Sequence, residues 1–390
     1  YRNNRGKAIL AAVIGTAPIA EGVRLCAAHI DSPRLDLKQN PLYEDEELAL
    51  MKTHYYGGIK KYQWPTIPLS LHGVVVKADG SKVTVNIGED PQDPVFCVTD
   101  LLPHLADAQM KRTAPQLIRG EELNLLVGSR PFRKDTESEA VKLNILHILN
   151  EKYGMVEADF LSAELEAVPA FPVRELGFDR SMILSYGQDD RVCAFTSLDA
   201  MLAVDAPKRT SCCLLVDKEE IGSVGATGMR SRFFENSLAE VMALTGEYQE
   251  LTLRRALKNS KMLSSDVNAG FDPLYAASFD KKNASYCGSG MVISKYTGSR
   301  GKSGSNDANA EYLAQLRNIF DQNHAHYQTA ELGKVDAGGG GTIAYIAALY
   351  GMNVIDCGVA VLSMHAPWEV TSKADVYEAQ KCYVAFLQNA

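Results

Sequence analysis

Val216-Asp217-Lys218-Glu219-Glu220-Ile221-Gly222-Ser223 is the stretch on which the reading of this chain turns. An apolar, β-prone run from Cys212 to Val216 leads into two adjacent carboxylates and then a glycine. That pattern fits a strand delivering acids to the carboxyl end of a sheet, where open α/β sheets place their sites. Two neighbouring acids allow a division of labour, in which one holds a cation and the other moves a proton. Taken alone, the same residues also read as a solvated strand end with two surface glutamates. The choice depends on whether the rest of the chain supplies partners.

Working outward, similar signals recur. Val23 to Ala28 is apolar and ends at His29-Ile30-Asp31-Ser32-Pro33. In an extended segment, positions i and i+2 point to the same side, so Asp31 can orient His29 by taking its second N–H. Gly187-Gln188-Asp189-Asp190-Arg191 puts an acidic pair before an apolar helix expected over Val192 to Val204. A carboxylate there lies near the helix's positive end. Simple N-capping accounts for one acid of the two. Met262 to Ser265 leads to Asp266, which also reads as a turn residue. Val354 to Met364 reads as a buried strand ending at His365. Each acid or histidine sits where an apolar strand or turn ends. Two histidines and several carboxylates suit two divalent cations such as zinc, manganese or cobalt. A bridging carboxylate with a free glutamate as base is the two-metal hydrolase arrangement. Spacing alone does not prove it, because the signals are spread across most of the chain.

Composition narrows the class. At 390 residues the chain is long enough for two domains. Hydrophobic content of 46% and charged content of 23% are those of a globular protein. Net charge is −8 with no basic stripe, which argues against a nucleic-acid partner. No apolar run reaches the ~18 residues of a membrane-spanning helix. Tyr1-Arg2-Asn3-Asn4-Arg5 is not a signal peptide. The first residue is not Met, so the natural start is expected upstream. Eight cysteines without CxxC spacing read as reduced thiols in a cytoplasmic setting.

Residues 7–15 and 23–28 suit buried strands. Asn40 to Glu47 is polar and turn-rich, and Thr53 to Pro65 reads as an ordered aromatic loop. Leu69 to Lys77 and Lys82 to Ile87 form a hairpin around Ala78-Asp79-Gly80-Ser81. A helix is expected from Thr136 to Tyr153, stopped by Gly154. Residues 39–158 thus look like an inserted β-rich domain. Ala158 to Val168 returns to strand character, with Leu161, Ala163, Leu165 and Ala167 alternating. Leu238 to Lys258 and Ala308 to Phe320 are helical, and Gly338 to Gly341 precedes the apolar helix Thr342 to Tyr350. A glycine run before a helix can bind an anion, but no Walker or dinucleotide pattern accompanies it, so it reads as close backbone approach. Ser372 with Asp375 resembles a capping box opening a helix to Leu387. The alternation of strands and helices through residues 159–390 favours an α/β fold, a largely parallel sheet with helices on both faces.

The motifs Ala28-His29-Ile30-Asp31-Ser32-Pro33, Gln188-Asp189-Asp190-Arg191, Asp217 to Ser223, Ser264-Ser265-Asp266 and Ser363-Met364-His365 occur in a familiar order. The chain resembles the aspartyl aminopeptidase and aminopeptidase I (M18) family of metallopeptidases over almost its whole length. Tyr56-Gly57-Gly58 and Pro103-His104-Leu105-Ala106 are also similar to that family. The resemblance implies a zinc-peptidase-type α/β/α sandwich (1–38 and 159–390) interrupted by a β-rich dimerisation domain (39–158). It implies one metal held by His29 and Asp266, a second held by Glu220 and His365, and Asp189 bridging. Glu219 would be the general base and Asp31 would orient His29. Relatives assemble as dimers into tetrahedral dodecamers, and His104 is the residue expected to reach a neighbouring active site. The substrates implied are peptides. Asp190-Arg191 is similar to the related glutamyl and tetrahedral aminopeptidases, and residues 280–307 match the family only in part, so the preferred N-terminal residue stays open. Rival readings are a deacylase or carboxypeptidase of the wider clan and a silent scaffold, the latter opposed by the presence of every expected ligand and the base.

Overall fold

The computed structural model describes residues 1–133 and 138–390 and falls into two compact units. One comprises Tyr1–Ser32, Val173–Met364 and Trp368–Ala390; the other comprises Pro33–Pro172 and His365–Pro367. The sequence places the junctions near residues 38 and 158. They fall instead at 32/33 and 172/173, because Arg34–Asp45 and Ala163–Pro169 are strands of the second unit's sheet.

The first unit is built on an eight-stranded sheet. Its order is Arg2–Asn4, Ala8–Val13, Ser211–Val216, Arg24–His29, Lys261–Ser265, Asn353–Gly358, Met291–Ser294 and Tyr327–Thr329. The four strands from Ser211–Val216 to Asn353–Gly358 run parallel. Ser211–Val216 and Arg24–His29 are buried at every position, the near-continuous apolar pattern of strands covered on both faces. Alternate residues feed two cores. Cys26, Ala28, Cys213 and Leu263 pack with Tyr312, Phe320, Tyr383 and Phe386 on one face. Leu25, Ala27, Leu214 and Met262 pack with Phe234, Leu238, Leu253 and Ile346 on the other. Helices Gln188–Ala203, Ala310–Gln322 and Lys373–Asn389 supply the first core. Helices Phe233–Leu244, Glu250–Asn259 and Ala344–Ala348 supply the second. This is an α/β/α sandwich. A second sheet in the same unit orders Arg174–Leu176, Met182–Ser185, Glu369–Ser372, Ala360–Leu362 and Asn268–Ala269.

The second unit is an antiparallel six-stranded sheet in the order Lys82–Ile87, Leu69–Val76, Ala163–Pro169, Arg34–Asp45, Leu48–Tyr56 and Leu125–Gly128. Helix Ala140–Tyr153 belongs to it and ends at Gly154, whose φ of 63° is the left-handed cap that glycine accepts without strain. The expected helix start at Thr136 lies outside the described residues.

Several local expectations yield to tertiary context. Asn40 to Glu47 is largely strand, not turn: a register shift between Leu37 and Leu42 absorbs Pro41 and buries Leu42. The first residues of the expected aromatic loop belong to strand Leu48–Tyr56. Leu161 sits in a 3-10 helix, Glu157–Ser162, and is exposed, so the alternating strand begins only at Ala163. Leu238 to Lys258 is two helices with Gly246 turning between them at φ 79°. The run from Val354 to Met364 divides at Val359 between two sheets. Asp375 is fully buried and accepts the amides of Gly288 and Gly290 at 2.8 and 2.7 Å; the Ser372 side chain makes no cap. Among the described residues no helix is long and apolar enough to cross a membrane.

The packing under the parallel strands sets an expected cost. Phe320 is fully buried in the core beneath the sheet. Phe320→Ala is expected to destabilise the sandwich unit by about 3–5 kcal/mol, measured as a shift of its denaturant midpoint at unchanged slope.

Candidate metal centre

Three adjacent parallel strands bring their carboxyl ends together. His29 is the last residue of its strand and pairs in register with Val216, from which the Asp217–Glu220 segment departs. Ser264 pairs with Ala27, so two residues further on Asp266 comes level with His29. Gly358 permits that arrival, because a Cβ there would collide with the carbonyl oxygen of Asp266. The Asp266 amide donates to the Cys357 carbonyl at 2.8 Å.

His29 is 1% exposed. Its Nδ1 lies 3.0 Å from the backbone carbonyl of Asp31, which only accepts, so Nδ1 carries the proton and donates it there. Nε2 then faces Asp189 Oδ1 at 3.2 Å, Asp266 Oδ1 at 3.9 Å and Glu219 Oε2 at 4.0 Å. The Asp31 carboxylate has a second task. Its two oxygens accept the backbone amides of Glu219 and Glu220 at 3.0 and 3.1 Å. Those amides open a single 3-10 turn, Glu219–Ile221, entered through Lys218 at φ 69° and left through Gly222 at φ 95°. One buried aspartate thus ties the imidazole to the turn that carries both glutamates.

Asp189 is held from both sides. Its amide donates to the buried carboxylate of Glu369 at 3.0 Å, and its carbonyl accepts the Ser32 hydroxyl at 2.8 Å. Asp190 is fully buried, and its Oδ2 accepts the His29 amide at 3.3 Å. Two groups of three possible ligand atoms result, His29 with Asp189 and Glu220, and His29 with Asp190 and Asp266, each within 4.8 Å. Sequence reasoning singled out His29, Asp31, Asp189, Glu219, Glu220 and Asp266, and all six lie in this unit. It gave no role to Asp190 beyond capping and none to Glu369. His365 groups with the β-rich unit, where its Nδ1 lies 2.7 Å from the Gly58 carbonyl. His104 is exposed in the one-turn helix Pro103–Leu105 of the same unit.

The electrostatics suit a cation. Burial raises the Asp190 carboxyl well above the usual range, and burial together with the charge of Asp190 does the same for Asp266. Burial alone would lower the His29 imidazole, but hydrogen bonds to Asp189 and Asp31 and the charges of Asp190 and Asp266 outweigh it and hold it well above ordinary histidine. Asp189, Asp190, Glu219, Glu220 and Asp266 surround the His29 imidazole. Buried carboxylates at such density need a cation or protons to compensate them. Mixed nitrogen and oxygen donors suit a zinc-like divalent ion.

The family model for aminopeptidase I zinc metalloprotease (M18) matches residues 1–387. The chain belongs to the M18 family. A probable M18 family aminopeptidase 1 of Clostridium acetobutylicum is 61% identical over 389 residues, covering 100% of this chain and 84% of that protein. The crystal structure of an M18 aminopeptidase from Thermotoga maritima is 48% identical with a TM-score of 0.96, covering 99% of this chain and 85% of that one. That of aminopeptidase I from Clostridium acetobutylicum is 58% identical with a TM-score of 0.94, covering 99% and 84%. The likeness in fold extends to a dodecameric yeast aminopeptidase 1 at 20% identity, a TM-score of 0.77, and coverage of 99% and 84%. This M18 chain is accordingly a metalloaminopeptidase, a hydrolase that removes N-terminal residues from peptides.

Asp31 is where removal of one side chain should loosen several donors together. Asp31→Ala is expected to weaken divalent-metal affinity by about 10–100-fold, the usual effect of losing a partner that orients ligands, measured by competition with a chromogenic chelator.

Proposed function

We propose that the acidic cluster around His29 holds two divalent ions, zinc before cobalt or manganese, and that the cluster cleaves the first peptide bond of peptide substrates. The observation that carries this reading is the convergence of Asp189, Asp266 and Glu219 on His29 Nε2 at the carboxyl ends of parallel strands. In this reading His29 and Asp266 would hold one ion and Glu220 the other, with Asp189 available to both. His365 joins Glu220 on the strength of its motif, Ser363-Met364-His365. Its contact with the Gly58 carbonyl supports protonation at Nδ1, which puts the lone pair on Nε2.

Divalent ions in such a site supply Lewis-acid polarisation of the scissile carbonyl and acidify water. The chain's own residues do the rest. Glu219 takes the proton from the attacking water and delivers it to the leaving amine. Asp31 holds the Glu219 turn in place through its two accepted amides. Asp190 and Glu369 fix the backbone of His29 and Asp189.

The β-rich unit is proposed as the dimerisation element, with dimers assembling further into a tetrahedral dodecamer. Leu101, Leu102, Leu105 and Met110 are 50%, 50%, 67% and 68% exposed around His104, an apolar surface of the kind that interfaces cover. His104 is proposed to serve a neighbouring subunit's site. Reduced cysteines support a cytoplasmic setting.

A panel of N-terminal amino-acid amides, run beside N-blocked and C-terminal substrates with chelation and metal add-back, tests the activity. Hydrolysis of free-amine substrates, abolished by chelation and restored by metal, is expected; cleavage of blocked substrates alone would overturn the reading. Glu219→Gln is expected to retain its metal while losing about two or more orders of magnitude in kcat, with metal content read by atomic spectrometry.

A further inference from the structure

The sandwich unit contains a cavity of about 310 Å³ that the acidic cluster does not use. One wall is the segment Tyr296 to Lys302, and the other runs from Glu331 to Gly338. Its size is at the lower end of small-ligand sites, and its charge is opposite to that of the metal centre. Arg300, Lys302 and Lys334 line it against a single acid, Glu331.

Two of these four charged groups have partners. Glu331 accepts the Tyr296 hydroxyl. Lys302 bonds Asp307 at 3.1 Å and lies 3.8 Å over the Tyr296 ring. Arg300 and Lys334 form no ion pair among the described residues. Thr297 also lines the cavity, is 7% exposed, and its hydroxyl has no hydrogen-bond partner. A buried hydroxyl without a partner is costly unless something else satisfies it.

The glycine run explains how the walls meet. A Cβ on Gly338 would strike the Leu332 carbonyl, and Gly339, at φ +116°, presses against Ser299. The Gly340 amide donates to the Thr297 carbonyl at 2.9 Å. The run therefore pins the Thr297 loop against the second wall, and backbone at Gly298, Gly301 and Gly333 is left to face the cavity. A guanidinium, an ammonium and a hydroxyl amount to a recognition set for an oxyanion.

We infer that this cavity binds a small molecule carrying an oxyanion, carboxylate or phosphate, with Arg300 and Lys334 as its charge partners and Thr297 as a hydrogen-bond partner. Calorimetric titration of the metal-loaded protein with inorganic phosphate and, separately, acetate, at fixed ionic strength, tests it. Binding in the range of about 1–10 mM is expected, weakened about tenfold or more in Arg300→Gln/Lys334→Gln. Binding of phosphate alone assigns a phosphate-bearing ligand, and binding of acetate alone a carboxylate. Should the double variant not fold, Thr297→Val is expected to weaken binding while its melting transition stays intact. No heat from either anion, or binding unchanged in the folded variants, would overturn the inference.

Discussion

Carboxylates crowded around a buried imidazole repel one another, and much of the sandwich unit is arranged to keep them there. Asp189, Asp190, Glu219, Glu220 and Asp266 gather around His29, which is almost wholly buried. In a low-dielectric setting such groups favour their neutral forms, and Asp190 and Asp266 are pushed in that direction. A divalent cation reverses the preference, because each ionised carboxylate then has a positive partner. The strain of assembling the acids and the affinity for metal are two aspects of one constraint. The parallel sheet supplies part of the rigidity: Val216 pairs with His29 and Ala27 with Ser264, so ladder register sets where His29, Asp266 and the turn carrying Glu219 and Glu220 begin.

Three carboxylates, those of Asp31, Asp190 and Glu369, point at backbone. Asp31 takes the amides of Glu219 and Glu220, Glu369 takes that of Asp189, and Asp190 takes that of His29. Charge-assisted bonds to amides are stronger than neutral ones, and they fix where the side chains start rather than where they end. Each link joins residues more than 150 positions apart in sequence. A local change therefore propagates to the site through the backbone of another segment.

This arrangement explains what was legible in the sequence. Strand ends carrying His29, Glu219 with Glu220, and Asp266 are visible because apolar strand and polar terminus are adjacent in the chain. Asp190 was visible only as half of an acidic pair, since its burial against the His29 amide is tertiary. Glu369 offered no signal: a single acid in strand Glu369–Ser372 reads as solvent-facing until the Asp189 amide is seen to reach it. The same limit misplaced local structure. Asn40 to Glu47 has turn composition, yet pairing with Leu48–Tyr56 makes it strand. Ser372 has capping chemistry, yet Asp375 is committed to the Gly288 and Gly290 amides. In each case a partner distant in sequence outweighed a local propensity.

The adjacent glutamates show why a short turn suits a divided task. Successive residues of an extended strand point to opposite faces, which would turn one of the two acids away from His29. The 3-10 turn, entered through left-handed Lys218 and left through Gly222, removes that alternation. Glu220 can then enter a donor group with His29 and Asp189, while Glu219 Oε2 stands 4.0 Å from His29 Nε2. Both amides end on a single carboxylate, that of Asp31, so the two side chains share one anchor and differ only in direction. A cation holder and a proton carrier placed on consecutive residues keep a fixed spacing whatever the rest of the chain does, and that spacing is what a reaction needing both at once requires.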